Sequence, residues 1–167
     1  MKTLKIFIAV LAISINIAHA QFTKAELQVS GLTCSMCAKA TEKALNTLNF
    51  IGDIKPDLNR NVFVITFKKD MPVNLDLISK KVQSAGFFVN NLKVTFNFDN
   101  VKLTNSYFNY AGDTYRLMNG TSAAINGTVA LTVVDKGFAP AAVTKKYSSA
   151  TPDNSGGKPG RIYHLAI

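Results

Sequence analysis

Apolar residues alternate with polar ones over residues 24–30, a period of two that is typical of β-strands, and three further short segments before residue 93 also have strand patterns. The segments predicted as strands are 24–30, 51–58, 62–67 and 87–92. Residues 62–67 are apolar on both faces, which predicts a central strand. Pro56 lacks a backbone N–H group, so the strand that contains it should lie at a sheet edge.

Two further segments show the helical spacing of apolar residues. The first is 36–48, with Ser35 as a suitable N-cap. The second begins after Asn74, another good N-cap, and ends at Gly86. Together with the strands, these helices give the order β-α-β-β-α-β, which predicts a ferredoxin-like α+β domain over residues 21–92.

The pattern changes from residue 93 onward to short alternating segments separated by turn signals. The Asn119-Gly120 and Asn126-Gly127 pairs are typical of tight turns. No helical stripe of useful length appears, and 148–160 is rich in Gly, Pro and Ser, as in a flexible loop. We therefore predict a second, small all-β domain over 93–167, for which a barrel-like arrangement is one option.

The first twenty residues have the layout of a secretory signal peptide. Lys2 and Lys5 precede an apolar stretch over 6–15, and Ala18-His19-Ala20 supplies small residues at the exit. The apolar stretch is too short to span a membrane comfortably. We predict cleavage before Gln21 and export to the periplasm or the extracellular space. After cleavage the protein is not expected to be an integral membrane protein.

The chain has 167 residues, of which 47% are hydrophobic, so a packed core is expected and a large multidomain enzyme is excluded. Its net charge of +9 falls to +7 when Lys2 and Lys5 leave with the signal peptide. The remaining lysines are dispersed along the chain, as on solvated surfaces. We therefore expect no nucleic-acid partner.

The motif with the most specific chemistry is Gly31-Leu32-Thr33-Cys34-Ser35-Met36-Cys37, between the first strand and the first helix. Two intervening residues allow both sulfurs to reach one point. Cys37 lies in the first helical turn, where free N–H groups favour a thiolate. Two soft thiolates with no further ligand nearby suit Cu(I), whereas structural zinc requires four ligands. His164 lies in a strand pattern and is interpreted as structural.

This motif resembles that of the heavy-metal-associated domain, found in copper chaperones, metal-transporting ATPases and periplasmic mercury-binding proteins. The βαββαβ order and Ala85-Gly86-Phe87 after the second helix strengthen the resemblance, which covers residues 24–92. It implies a metal-binding protein that exchanges its ion with a partner carrying a similar thiolate site. Cu(I) is the implied cargo, with Hg(II) or Zn(II) as alternatives.

The resemblance also implies roles for individual residues of the loop. Cys34 and Cys37 become the metal ligands, and Thr33 a loop-shaping residue beside Gly31. Leu32 takes the place of the usual methionine that packs into the core, a mild exchange. Phe87 matches an aromatic position that packs near the metal loop.

Two other interpretations of the cysteine pair remain open at this stage. A C-x-x-C pair in an exported protein is compatible with a structural disulfide. It is also compatible with a thiol-disulfide oxidoreductase, although the tryptophan usual before such a pair is missing. No carboxylate pair, nucleophile motif or phosphate loop is present, so we do not expect an enzyme.

Overall fold

The computed structural model describes residues 21–32, 34–99, 101–118, 125–148 and 160–167. These contain eight strands and three helices. In chain order they are β1 (Gln21–Ser30), α1 (Ser35–Leu45), β2 (Ile51–Asp57), β3 (Val62–Phe67), α2 (Leu75–Ser84), β4 (Phe88–Asn97), β5 (Tyr107–Tyr110), β6 (Asp113–Leu117), β7 (Thr128–Val133), α3 (Ala141–Ser148) and β8 (Ile162–Ala166). The predicted signal peptide, Thr33, the Asn119-Gly120 turn and residues 149–159 of the predicted loop lie outside the described residues.

The first half of the chain has the predicted β-α-β-β-α-β order and the ferredoxin-like fold. Its strands are antiparallel and lie in the order β2-β3-β1-β4. The strand that contains Pro56 is at the edge of the sheet, as the missing N–H group predicts. The helices α1 and α2 contact each other. Their buried residues include Leu45 and Ile78, which belong to the core.

Both helix starts follow from local capping chemistry. The Asn74 side chain accepts a hydrogen bond from the Leu77 N–H group, as expected for the cap of α2. The cap of α1 is Cys34, one residue earlier than the predicted Ser35, because the Cys34 sulfur accepts from the Cys37 N–H group. This difference places the first sulfur of the motif at the helix terminus itself.

The second half of the chain extends the same sheet. Strand β4 continues to Asn97 and pairs with β1 on one side and β7 on the other. The full order is β2-β3-β1-β4-β7-β8-β6-β5. The predicted barrel-like arrangement is wrong for the described residues, since the sheet stays open with β2 and β5 at its ends. The physical reason is that β7 adds to the edge of β4, so the later strands extend an existing sheet.

The prediction that 93–167 is all-β is also wrong, because this part contains helix α3. The helix spans eight residues and begins directly after Pro140. Its partly buried side chains include Val143 and Thr144, too few for a recognisable helical stripe in the sequence. The domain boundary at residue 92 remains a prediction, although β4 crosses it.

An aromatic cluster joins the two halves of the sheet. The Phe22 ring of β1 lies 4.8 Å from Phe96 and 5.5 Å from Tyr115, measured between ring centroids. Tyr115 in turn stacks on Phe108 at 5.1 Å and on Tyr163 at 5.0 Å. Edge-to-face and stacked pairs of this kind stabilise a core beyond their buried area.

Polar contacts fasten the second half to α2 and the loop before it. Arg161, next to β8, forms a salt bridge with Asp76 in the first turn of α2. The Tyr110 hydroxyl of β5 accepts a hydrogen bond from the Val73 N–H group at 3.2 Å. The halves are thus joined through both the sheet and the helical layer. Among the described residues, no helix is long and apolar enough to cross a bilayer.

Candidate metal site

The two cysteines of the motif lie together at the junction of β1 and α1. Their sulfur atoms are 3.0 Å apart, and both cysteines are free thiols in the structure. Cys34 is exposed and Cys37 is half-buried. The structure therefore brings together the two predicted metal ligands in a position that solvent and a partner protein can reach.

Hydrogen bonds at the helix terminus favour the ionised form of Cys34. The largest influence on its thiol is the hydrogen bond with the Cys37 side chain, followed by the Cys37 backbone N–H group at 3.4 Å. These contacts, with a smaller one from the Met36 backbone, lower the pKa of Cys34. The thiolate is the form that binds metals and attacks disulfides, so a lowered pKa favours both reactions at Cys34.

The residues to which the resemblance assigns supporting roles lie at the start of the metal loop and beside it. Gly31 has a φ of +88°, a conformation that strongly favours glycine, and a Cβ atom there would lie 3.5 Å from the Phe87 ring. Leu32 and Phe87 are partly buried and pack against the core. Their supporting roles remain predictions. Thr33 lies outside the described residues.

A buried hydroxyl below the site was missed by the sequence analysis. The Thr41 side chain is fully buried, and its hydroxyl donates a hydrogen bond to the Cys37 carbonyl oxygen at 3.1 Å. This contact ties the first turn of α1 to its second turn. A threonine on the apolar stripe, four residues after Cys37, was the available signal in the sequence.

Apolar and polar side chains together line a cleft beside the site. An open cleft of about 230 Å³ beside Cys34 is lined by Leu32, Ser35, Leu58 and Asn61. Leu58 lies in the β2–β3 turn, which adjoins the end of β1 through a hydrogen bond from the Val29 N–H group to the Asn61 carbonyl oxygen. The sequence pattern gave no reason to place this turn beside the cysteines.

The donor atoms near the cysteines fit a soft ion with few ligands. Among the described residues, no group of three or more His, Cys, Asp and Glu side chains could hold a metal ion. His164 is engaged elsewhere, because its Nδ1 atom lies 2.8 Å from a carboxylate oxygen of Asp135, in agreement with the structural role predicted for it. A pair of thiolates suits Cu(I), which accepts low coordination, better than zinc, which in structural sites binds four ligands.

Residues 26–88 match the family model of the heavy-metal-associated domain. The resemblance inferred from the motif at 31–37 is therefore confirmed for this part of the chain. The match ends before residue 93, so it assigns no family to the later strands. No curated protein matches the chain.

Several solved structures resemble part of the chain. CopP from Helicobacter pylori is 29% identical, with 40% of this chain and 97% of that one covered and a TM-score of 0.35. A copper-binding domain of the P-type ATPase HMA7 is 28% identical, with 39% and 86% covered and a TM-score of 0.36. The yeast copper transporter domain Ccc2a is 25% identical, with 40% and 90% covered and a TM-score of 0.36.

Proposed function

We propose that this protein carries a soft metal ion, Cu(I), between the sulfur atoms of Cys34 and Cys37, and delivers it to a partner with a similar thiolate site. The observation that carries the proposal is the pair of thiols at the start of α1, 3.0 Å apart with Cys34 exposed, within the segment that matches the heavy-metal-associated domain. The protein would act in metal trafficking, buffering or detoxification.

Transfer would proceed by exchange of ligands around the ion, which is the cargo. A thiolate of the partner adds to the ion, and one of the two original sulfurs then leaves as a thiolate. No electrons are transferred, and the number of metal–sulfur bonds is the same before and after the exchange. Exposure of Cys34 gives the incoming thiolate access, and the helix terminus stabilises the sulfur that leaves.

Cu(I) is preferred over Hg(II) and Zn(II) on the chemistry of the donors. Thiolates are soft ligands, and two of them satisfy an ion that accepts low coordination. Hg(II) is also a soft ion and is the main alternative. Zn(II) would need two more ligands, and the described residues place none beside the cysteines.

Export completes the proposal and rests on the sequence of residues 1–20. We propose that the mature chain begins at Gln21 and acts in the periplasm or the extracellular space. Mass spectrometry of the protein recovered from those compartments tests this directly. A mature chain that retains residues 1–20 would contradict it.

A competition titration with Cu(I) under anaerobic conditions tests the metal site. We expect the reduced protein to bind one ion per chain, and we expect Cys34→Ser and Cys37→Ser to lose tight binding. Ser35→Ala is the matched control, because it changes an exposed side chain between the two cysteines and should leave the affinity unchanged. Unaltered binding in both cysteine variants would refute the proposed site.

A thiol-disulfide oxidoreductase is the second candidate, favoured by the lowered pKa of the exposed Cys34. Reduction of insulin by the protein, measured beside the titration, distinguishes the two functions. Tight copper binding without reductase activity supports the metal carrier. Reductase activity that depends on Cys34, without tight metal binding, would establish the alternative.

A further inference from the structure

Most of the large apolar side chains that the described residues expose lie at one end of the molecule. Met36, Leu58 and Phe88 are 80%, 51% and 69% exposed, and they are three of the five such side chains in the described part of the chain. The other two are Leu77 and Ile167. A group of exposed apolar side chains, unlike single ones, marks a site of interaction.

The three side chains belong to segments that meet at the end of β1. Met36 lies in the first turn of α1, between the two cysteines. Leu58 lines the cleft beside Cys34. Phe88 begins β4 and lies opposite Ser30, the last residue of β1. We call the surface formed by Met36, Leu58, Phe88 and the two cysteines the cysteine end.

The segments that supply Met36 and Phe88 lack charged side chains, although the whole chain has a net charge of +9. Residues 27–38 and 82–92 contain no Lys, Arg, Asp or Glu. The cores of protein interfaces are depleted in charged residues and enriched in aromatic residues and Met. The cysteine end therefore has the composition of an interface core.

The charged residues beside the cysteine end have both signs. Arg60, two residues after Leu58, forms a salt bridge with Asp57 at 2.7 Å. Lys39 is exposed and lies one helical turn after Met36. Charged residues in such positions fit the polar rim that encloses the core of an interface.

A second copy of this chain is the partner that the charges favour. Two copies with the same net positive charge repel each other, and contact between like charges at an interface is costly. Two cysteine ends avoid that cost, because the segments at their centre carry no charge. A negatively charged partner would gain little attraction there, since the lysines that would attract it lie elsewhere on the chain.

We propose that two copies of the chain associate through their cysteine ends. The contact is symmetric, with the same surface used on both copies. Stable interfaces bury roughly 1,200–2,000 Å², and three side chains from each copy supply only part of that area, so the association is weak and transient. Because Leu58 and Cys34 border the same cleft, the associated form covers the Cys34 thiol. The proposal does not depend on metal binding.

Sedimentation velocity of the chain from Gln21 to Ile167, which contains every described element, tests the proposal. A phosphine reductant and a chelator keep the protein reduced and free of metal, so that neither a disulfide nor an ion can link two copies. Leu58→Gln and Phe88→Gln are combined in one variant, which leaves both cysteines in place. Leu77→Gln and Ile167→Gln form the matched control, with the same kind of change at exposed apolar side chains elsewhere.

We expect the unaltered protein to form dimers as its concentration rises from micromolar to millimolar. Moderate salt should increase the dimer fraction, because it screens the repulsion between two positive chains. Each substitution acts on both copies, so the cysteine-end variant should dimerise more weakly by roughly tenfold or more. The control variant should dimerise as strongly as the unaltered protein. Circular dichroism confirms that both variants remain folded.

Alkylation of Cys34 by an excess of iodoacetamide gives an independent readout. Since the dimer covers this thiol, its alkylation rate constant should fall as the concentration of the unaltered protein rises. The control variant should show the same fall, whereas the cysteine-end variant should react at one rate throughout.

Three results would overturn the proposal. A protein that stays monomeric at its highest soluble concentration would exclude a second copy as the partner. Equal weakening of the dimer in both variants would show apolar association without a dedicated surface. Dimers in which Cys34 reacts at an unchanged rate would place the contact elsewhere on the chain. Because no metal is present, these results are independent of the copper titration.

Discussion

At the scale of single residues, we propose that the Leu32 side chain supports the candidate metal site without acting as a ligand. It is partly buried, packs against the core and lines the cleft beside Cys34. We expect Leu32→Ala to lower the free energy of unfolding by about 2 kcal/mol, the low end of the range for buried leucines, because its side chain is only partly buried. Metal stoichiometry should stay at one ion per chain.

Denaturant unfolding and the copper titration measure these two quantities. Leu58→Ala is the matched control, since Leu58 lines the same cleft but is 51% exposed and should contribute much less to stability. Loss of metal binding in a folded Leu32→Ala protein would contradict the supporting role.

The Tyr115 hydroxyl offers a second test at this scale. Tyr115 is fully buried, and within the described part of the chain its hydroxyl oxygen has no hydrogen-bond partner. Since an unpaired buried hydroxyl destabilises the fold, Tyr115→Phe should raise the free energy of unfolding by up to about 1 kcal/mol. Tyr110→Phe is the control, because the Tyr110 hydroxyl accepts a hydrogen bond from the Val73 N–H group at 3.2 Å and the protein should lose stability without it. A marked loss of stability in Tyr115→Phe would refute the prediction.

The cysteines could be found from the sequence, whereas the contacts around them could not. The spacing of Cys34 and Cys37 placed both sulfurs near one point, and the structure places them 3.0 Å apart. The hydrogen bond from Thr41 to the Cys37 carbonyl oxygen depends on the rotamer of a buried side chain. The position of Leu58 depends on the packing of a turn against another strand, which no local pattern encodes.

At the scale of elements, the aromatic residues of β5, β6 and β8 predict how stability changes at high pH. Burial is the largest cause that raises the pKa values of Tyr110, Tyr115 and Tyr163 above the ordinary value of 10.0. Above pH 10 the unfolded chain therefore loses these protons before the folded chain does. The free energy of unfolding should be unaffected below about pH 10 and should fall as the pH rises further.

Urea unfolding at neutral pH and above pH 10 tests this expectation, with absorbance at 295 nm reporting tyrosine ionisation. The ionisation of the buried tyrosines should coincide with unfolding. If they titrate near pH 10 in a chain that is still folded, the burial argument fails.

Element prediction succeeded where the local sequence pattern was distinctive and failed where it was weak. The strand predicted at 62–67 has those bounds, and α2 begins after the predicted Asn74 cap. Helix α3 was missed because its eight residues contain no extended stripe. The fourth strand was predicted to end at residue 92, but β4 continues to Asn97. There it pairs with β1 on one edge and with β7 on the other, and pairing between distant segments is not visible in a local pattern.

At the scale of the molecule, β4 extends across the predicted domain boundary at residue 92 and therefore affects where the chain can be shortened. A chain that ends at residue 92 loses Val94 and Phe96, which are fully buried beside Ala25 and Phe22 of β1. We expect residues 21–92 to be less stable than residues 21–97 by roughly 3–6 kcal/mol, from the burial of these two side chains. Denaturant unfolding followed by circular dichroism measures the difference, and equal stability of the two chains would place the boundary at 92.

Because β4 pairs with strands on both of its edges, a metal ion bound by Cys34 and Cys37 should also stabilise the later strands of the sheet. Pairing of β4 with both β1 and β7 favours opening of the two halves as one cooperative unit. A ligand that binds only the folded state stabilises every part of such a unit by mass action. Amide hydrogen exchange should therefore slow in β6 and β8 when Cu(I) binds. If the proposed metal binding occurs, the metal-bound protein should resist proteolysis in both halves of the sheet, and proteases should degrade the metal-free protein first.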